Sequence, residues 1–122
     1  MNIRFYIKCL VCLLAVKLSF AEVIEVNNEE MIKLSNTNIP IVDVRRSAEW
    51  VETGVIPNSI LLTFFDEEGH YNFDEWYEKL QLEINVTDPI ILICRSGQRS
   101  KVVANMIDEK FNSIIYNSQS GI

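Results

Sequence analysis

The chain has 122 residues, 48% of them hydrophobic and 23% charged, with a formal net charge of −6. That length fits one domain with a single modest core and excludes two independently folded domains. The acidic balance excludes nucleic acid, or an anionic membrane surface, as a partner held by bulk electrostatics.

The first 21 residues differ from the rest. "MNIRFYIK" carries Arg4 and Lys8, "CLVCLLAV" is apolar, and "SFA" supplies small residues at Ser19 and Ala21. This is the order of a secretory signal, with cleavage expected after Ala21. The apolar run is shorter than the roughly 20 residues that cross a bilayer and is broken by Lys17, so it is not expected to persist as an anchor. We therefore expect a signal peptide over 1–21 and a single mature domain over 22–122, periplasmic or secreted, that meets the membrane only during export. Removing Arg4, Lys8 and Lys17 leaves eight basic residues against seventeen acidic ones, a net charge of −9. Cys9 and Cys12 leave with them, so Cys94 is the one remaining thiol and no internal disulfide can form. With a lone Cys94 and a lone His70, a zinc site of the usual nitrogen and sulfur type cannot be assembled within one chain.

Beyond the signal, short apolar runs alternate with segments of helical period. "VIEV" (23–26) predicts a strand. Asn27, with Glu30 three residues on, predicts a capped helix start over "EEMIKLS". "IPIVDV" (39–44) and "PIILIC" (89–94) are continuous aliphatic runs, the pattern of central parallel strands covered on both faces. Between them lie a short helix, "SAEWVET", ended by Gly54, a strand, "SILLTFF", and a longer helix, "NFDEWYEKLQLEI". In the last, Phe73, Trp76, Tyr77, Leu80 and Ile84 recur at helical spacing. From about Gln98 a further helix carries Val102, Val103, Met106, Ile107 and Phe111, and "SIIYN" closes as a strand. The alternation predicts an α/β three-layer sandwich: a mainly parallel central sheet of about five strands with helices on both faces. Ligands of such sheets bind beyond the carboxyl ends of the strands, where Cys94 and Asp43 both fall.

An unpaired cysteine at the end of a buried strand is by default inert filler. The surroundings of Cys94 argue otherwise. Gly97 permits a tight turn that aims successive backbone N–H groups inward, and the helix that follows adds its positive end. A thiol in that cradle should ionise more readily. Arg95, Arg99 and Lys101 place three of the eight basic residues of 22–122 beside it, the mark of a local anion site.

"CRSGQRS" resembles the six-residue active-site loop of the rhodanese family, single-domain members in particular. "IVDVRR" followed by "EW", then "TGVIPNSI", resembles the family's Asp-Val-Arg and Gly-His-Ile-Pro segments. "IIYNSQSGI" resembles its strand leading to Gly-Gly-Ile. The likeness implies sulfur transfer: the Cys94 thiolate takes a sulfane sulfur from a small donor such as thiosulfate, then yields it as a persulfide to a thiol or cyanide acceptor. In that implied role Cys94 is the nucleophile, and neither a metal nor an organic cofactor is expected. Arg95, Ser96, Gly97, Gln98, Arg99 and Ser100 form the loop that binds substrate and anion, with Arg95 and Arg99 orienting the sulfonate end. Asp43 and Arg45 fall near the loop's rim, where a strand-end ion pair is the plainer reading.

Two further readings stay open. Cysteine phosphatases and arsenate reductases also place a thiolate in an amide cradle, but phosphatases have five residues between cysteine and arginine where Arg95 to Gln98 make four. A sulfur carrier or protein-binding module with little turnover would share the same fold. Trp50 and Trp76 are expected in apolar packing, and His70 in a solvated acidic turn. Val55 stands where the family often has histidine, and Ser120 where it has the first glycine of a pair. The helix that the resemblance implies after Gly-Gly-Ile is missing after Ile122, so apolar side chains of "PIILIC" and "SIIYN" are expected to be partly uncovered, the chain being either a truncated version of a longer protein or a fold that covers the gap with a protein partner or a second copy.

Overall fold

The computed structural model describes residues 22–122, so the expected signal lies outside the described residues. Five strands form one sheet: β1 (Glu22–Val26), β2 (Ile41–Asp43), β3 (Ile60–Leu61), β4 (Ile90–Ile93) and β5 (Ile114–Ser118). Every pairing is parallel and the order is β1-β5-β4-β2-β3. Four helices connect them among the described residues: α1 (Asn28–Ser35), α2 (Ser47–Thr53), α3 (Phe73–Glu83) and α4 (Gln98–Lys110). Parallel neighbours require crossovers, and the helices are those crossovers.

Side chains alternate across β4 to feed two cores. Ile90, Leu92 and Cys94 join Phe73, Trp76, Tyr77 and Leu80 of α3 and Val103, Ala104 and Ile107 of α4. Ile91 and Ile93 face the other way, onto Val26, Met31 and Ile41, with Leu34, Ile56, Tyr116 and Ile122 packed around them. Asn27 caps α1 as its spacing predicts: its side chain accepts from the Glu30 N–H at 2.8 Å and the Glu30 carboxylate accepts from the Asn27 N–H at 3.2 Å. Trp76 is buried, its ring edge-on to Phe64 at 5.1 Å, and its indole N–H donates to the Leu62 carbonyl at 2.9 Å. Trp50 is only half-buried, and His70 is exposed beside Asp66 and Glu68.

Two expectations are corrected. The strand over "SILLTFF" narrows to Ile60–Leu61, the residues paired with Val42 and Asp43 of β2, and Phe64 beyond it enters the core. The chain beyond stays tied to β2 all the same, with the Leu62 and Phe64 N–H groups donating to the carbonyls of Asp43 and Val44. The uncovering expected of "PIILIC" is not seen either: no residue from Ile90 to Cys94 exceeds 4% exposure. Strands flank β4 on both edges and the two cores cover both its faces, Ile122 contributing to the second. Of β5, Ile115 is buried, Tyr116 half-buried and Ile114 exposed.

The register decides where the chemistry sits. Leu92 lies opposite both Val42 and Asn117, so the carboxyl ends of β2, β4 and β5 finish side by side. That edge carries Asp43, Cys94 and Asn117.

Candidate functional site

Cys94 follows β4 directly and α4 begins at Gln98, leaving three residues to turn the chain. Gly97 makes the turn in the left-handed region, at φ 86°. A side chain there would be strained, and its Cβ would run into the Gln119 carbonyl. The result is a loop wrapped around one sulfur atom. The Gly97 N–H donates to Cys94 Sγ at 3.1 Å, the Ser100 N–H at 3.4 Å and the Ser100 hydroxyl at 3.3 Å. Burial opposes ionisation of the thiol. The Ser100 hydroxyl and the N–H groups of Ser100, Ser96 and Gly97 outweigh it, and the Cys94 pKa lies below the ordinary thiol value. Full burial by itself would suit an inert cysteine, but inert filler does not need three donors aimed at its sulfur.

The loop is braced from behind. Gly121, at φ 65°, sits so close that a Cβ would strike the Arg95 carbonyl, and the Ile122 N–H donates to the Cys94 carbonyl at 2.9 Å. The buried Asn117 donates its amide hydrogens to the Gly97 carbonyl at 3.1 Å and to the Glu25 carboxylate at 2.9 Å. The segment "NSQSGI" thus serves as the loop's floor. Its Ser120 is exposed and takes no part in this bracing, whereas Gly121 is where the close approach occurs.

The predicted loop residues divide by position. Arg95, Ser96 and Gln98 are exposed, Gly97 and Ser100 are buried, and Arg99 is half-buried. Arg99 grips Glu49 of α2 through two 2.7 Å hydrogen bonds, Nη1 to Oε1 and Nη2 to Oε2. That contact holds the Glu49 pKa down at about 2, the hydrogen bond from Arg99 being its main cause, and raises that of Arg99 in turn. Asp43 and Arg45 form the strand-end ion pair that was the plainer reading, and they lie beneath the surface instead of at the loop's rim. Both are fully buried in a bidentate pair, Nη2 to Oδ2 at 2.8 Å and Nε to Oδ1 at 3.0 Å. Arg45 then donates to the Thr53 hydroxyl at 2.7 Å and the Gly54 carbonyl at 2.9 Å, which ties the far end of α2 to the end of β2. An incoming donor cannot reach them, because the pair spends its hydrogen bonds on placing the helix that carries Glu49.

Sequence reasoning missed Glu49, Glu25 and Asn117. Glu49 carried one usable signal, its position three residues into α2, where its carboxylate also accepts from the Arg46 N–H at 3.3 Å. Nothing local announced a partner fifty residues away.

Comparison with known proteins agrees with this geometry. Residues 27–122 match the family model of the rhodanese-like domain. The uncharacterized protein RP600 of Rickettsia prowazekii is 31% identical over 88 residues, covering 70% of this chain and 71% of that one. Its homolog in Rickettsia rickettsii is 29% identical over 90 residues, with 72% of each chain covered. Among solved structures, Rv0390 from M. tuberculosis superposes with a TM-score of 0.64 at 24% identity, over 84% of this chain and 80% of that one. The rhodanese-like domain protein from Staphylococcus aureus gives 0.58 at 23%, over 80% and 86%. Reduced Bacillus anthracis CoADR-RHD gives 0.62 at 26%, over 81% of this chain but only 16% of that much longer one. With an all-parallel five-stranded sheet, a cysteine loop at its carboxyl edge and a family match over 27–122, the chain belongs to the rhodanese-like domain family, in the sulfurtransferase superfamily.

Proposed function

We propose that the protein is a sulfurtransferase that moves a sulfane sulfur from a small donor to a thiophilic acceptor, a thiol or cyanide, through a persulfide on Cys94. The observation that carries this reading is the convergence of the Gly97 N–H, the Ser100 N–H and the Ser100 hydroxyl on Cys94 Sγ. Donors aimed at a sulfur stabilise it as an anion, which is the nucleophilic form and the form in which the thiol is regenerated. In the first half-reaction the Cys94 thiolate attacks the donor's outer sulfur. The donor's sulfur–sulfur bond breaks, its electron pair leaves with the remainder, sulfite in the case of thiosulfate, and Cys94–S–S⁻ forms. In the second, an acceptor nucleophile takes that outer sulfur and Cys94 departs as thiolate. No redox change beyond sulfur exchange and no cofactor is called for, and the kinetics should be ping-pong.

Cys94 is fully buried, so transfer requires the groups packed around its sulfur to yield as the donor sulfur enters. We also infer export, from the charge and apolar order of residues 1–21. Material recovered outside the cytoplasm should begin at Glu22. Steady-state turnover with thiosulfate and cyanide tests the reaction: parallel double-reciprocal lines, and loss of activity in a folded Cys94→Ser variant, are expected. A Cys94→Ser variant that retains wild-type turnover overturns the nucleophile. A persulfide that forms and never turns over would make the protein a sulfur carrier instead.

A further inference from the structure

Three cations flank Cys94 in the loop and the first turn of α4, yet two of them have carboxylate partners. Arg99 is closed onto Glu49 in a bidentate pair whose side chains are only 25% and 15% exposed. Lys101 lies 3.8 Å from Glu25 in a looser, more solvated pair. Nearby, Arg45 is consumed by Asp43, and Arg46 donates its Nε–H to the Asp66 carbonyl at 3.0 Å. Arg95 alone of the three is exposed with no side-chain partner among the described residues.

A donor must approach a thiolate, so its own negative charge is repelled unless cations compensate it. Two free arginines would match a dianion. The arrangement here supplies one.

We infer that Glu49 sets the charge of the donor site: by closing Arg99 into a pair it leaves Arg95 as the one free cation of the loop among the described residues, and so selects a singly charged hydropersulfide, R–S–S⁻, over the thiosulfate dianion. The inference rests on the sulfur-transfer reading and names its donor class. The step balances as before: the Cys94 thiolate bonds to the outer sulfur of R–S–S⁻, the sulfur–sulfur bond of the donor breaks, and the electron pair leaves on R–S⁻, which takes up a proton from water. The total charge is the same on both sides and no outside oxidant or reductant enters. Glu49 acts through Arg99 and is therefore a positioning residue.

The test compares single-turnover sulfur uptake by Cys94, read by intact mass, from thiosulfate and from 2-hydroxyethyl persulfide, a donor whose only charge is on sulfur. The wild-type protein should prefer the persulfide. Glu49→Gln frees the Arg99 charge while keeping the side chain's size, and should shift the ratio of the two rates toward thiosulfate by about tenfold, the effect of one partly screened unit charge. The gain should appear as a lower half-saturating thiosulfate concentration. Glu49→Asp keeps the charge and should hold the ratio near the wild-type value. If Glu49→Gln slows both donors alike, or leaves the ratio unmoved, Glu49 braces the loop without choosing the donor and the inference is overturned. If neither donor loads wild-type Cys94, the sulfur-transfer reading itself has failed, an outcome distinct from the first.

Discussion

Ser100→Ala is the sharpest perturbation of the cradle. The hydroxyl of this fully buried residue donates to Cys94 Sγ at 3.3 Å, and it is the largest single influence lowering the thiol's pKa. Alanine removes one oxygen and leaves the backbone donation at 3.4 Å in place. A hydrogen bond to a charged group is worth about 1.5–3 kcal/mol, and a long bond to sulfur belongs at the lower end, so the thiol pKa should rise by about one unit. Below both midpoints the thiolate fraction then falls about tenfold. A more basic thiolate is also a better nucleophile, which returns about threefold, so sulfur uptake should slow by roughly threefold there. Ultraviolet absorbance of the thiolate reads the midpoint directly, with Cys94→Ser as the blank and Cys94 the one thiol in residues 22–122. A midpoint that stays put, or moves down, would show that the hydroxyl does not stabilise the anion and would refute the reasoning.

Three other perturbations probe the supports. Arg45→Ala leaves the Asp43 carboxylate buried without its partner and should cost about 3–5 kcal/mol in urea melts; a loss under about 1 kcal/mol would mean that the pair does not anchor α2. Gly121→Ala forces a Cβ into the Arg95 carbonyl at a backbone angle that disfavours side chains, so sulfur uptake should fall along with roughly 1–3 kcal/mol of stability; wild-type uptake would remove "NSQSGI" as the loop's floor. Glu49 has a folded-state pKa of about 2, below its ordinary 4.5, so its pair with Arg99 stabilises the fold above pH 4.5 and is lost as pH falls from there toward 2. After allowance for solvent screening, Glu49→Gln should flatten that stretch of the stability profile by roughly 1–2 kcal/mol, and an unchanged acid profile would contradict the depressed value.

The fold was legible because local signals and burial agree. "PIILIC" is apolar at every position, and β4 is indeed the strand covered on both faces. Asn27 and Glu30 announced a helix start that forms with both capping hydrogen bonds. Cys94, Gly97 and Ser100 were legible for a related reason, since they act on one another within seven residues. What sequence did not disclose is long-range pairing. The cluster of Arg95, Arg99 and Lys101 read as three charges for an anion, whereas Glu49 and Glu25, distant in sequence, answer two of them. Asp43 and Arg45 were legible as a strand-end ion pair, which forms; what the sequence did not disclose is that the pair is buried away from the loop's rim and turns inward to Thr53 and Gly54. The early end of the strand at Leu61 escaped notice for want of any turn residue in "SILLTFF" to mark it.

The most direct measurement of the central claim is the intact mass of the protein after exposure to a sulfane donor and removal of the excess. A sulfurtransferase should gain one sulfur atom located on Cys94, lose it on addition of cyanide with thiocyanate released in equal amount, and show no gain in Cys94→Ser. A wild-type protein whose mass stays unchanged with thiosulfate and with a hydropersulfide alike would contradict the claim.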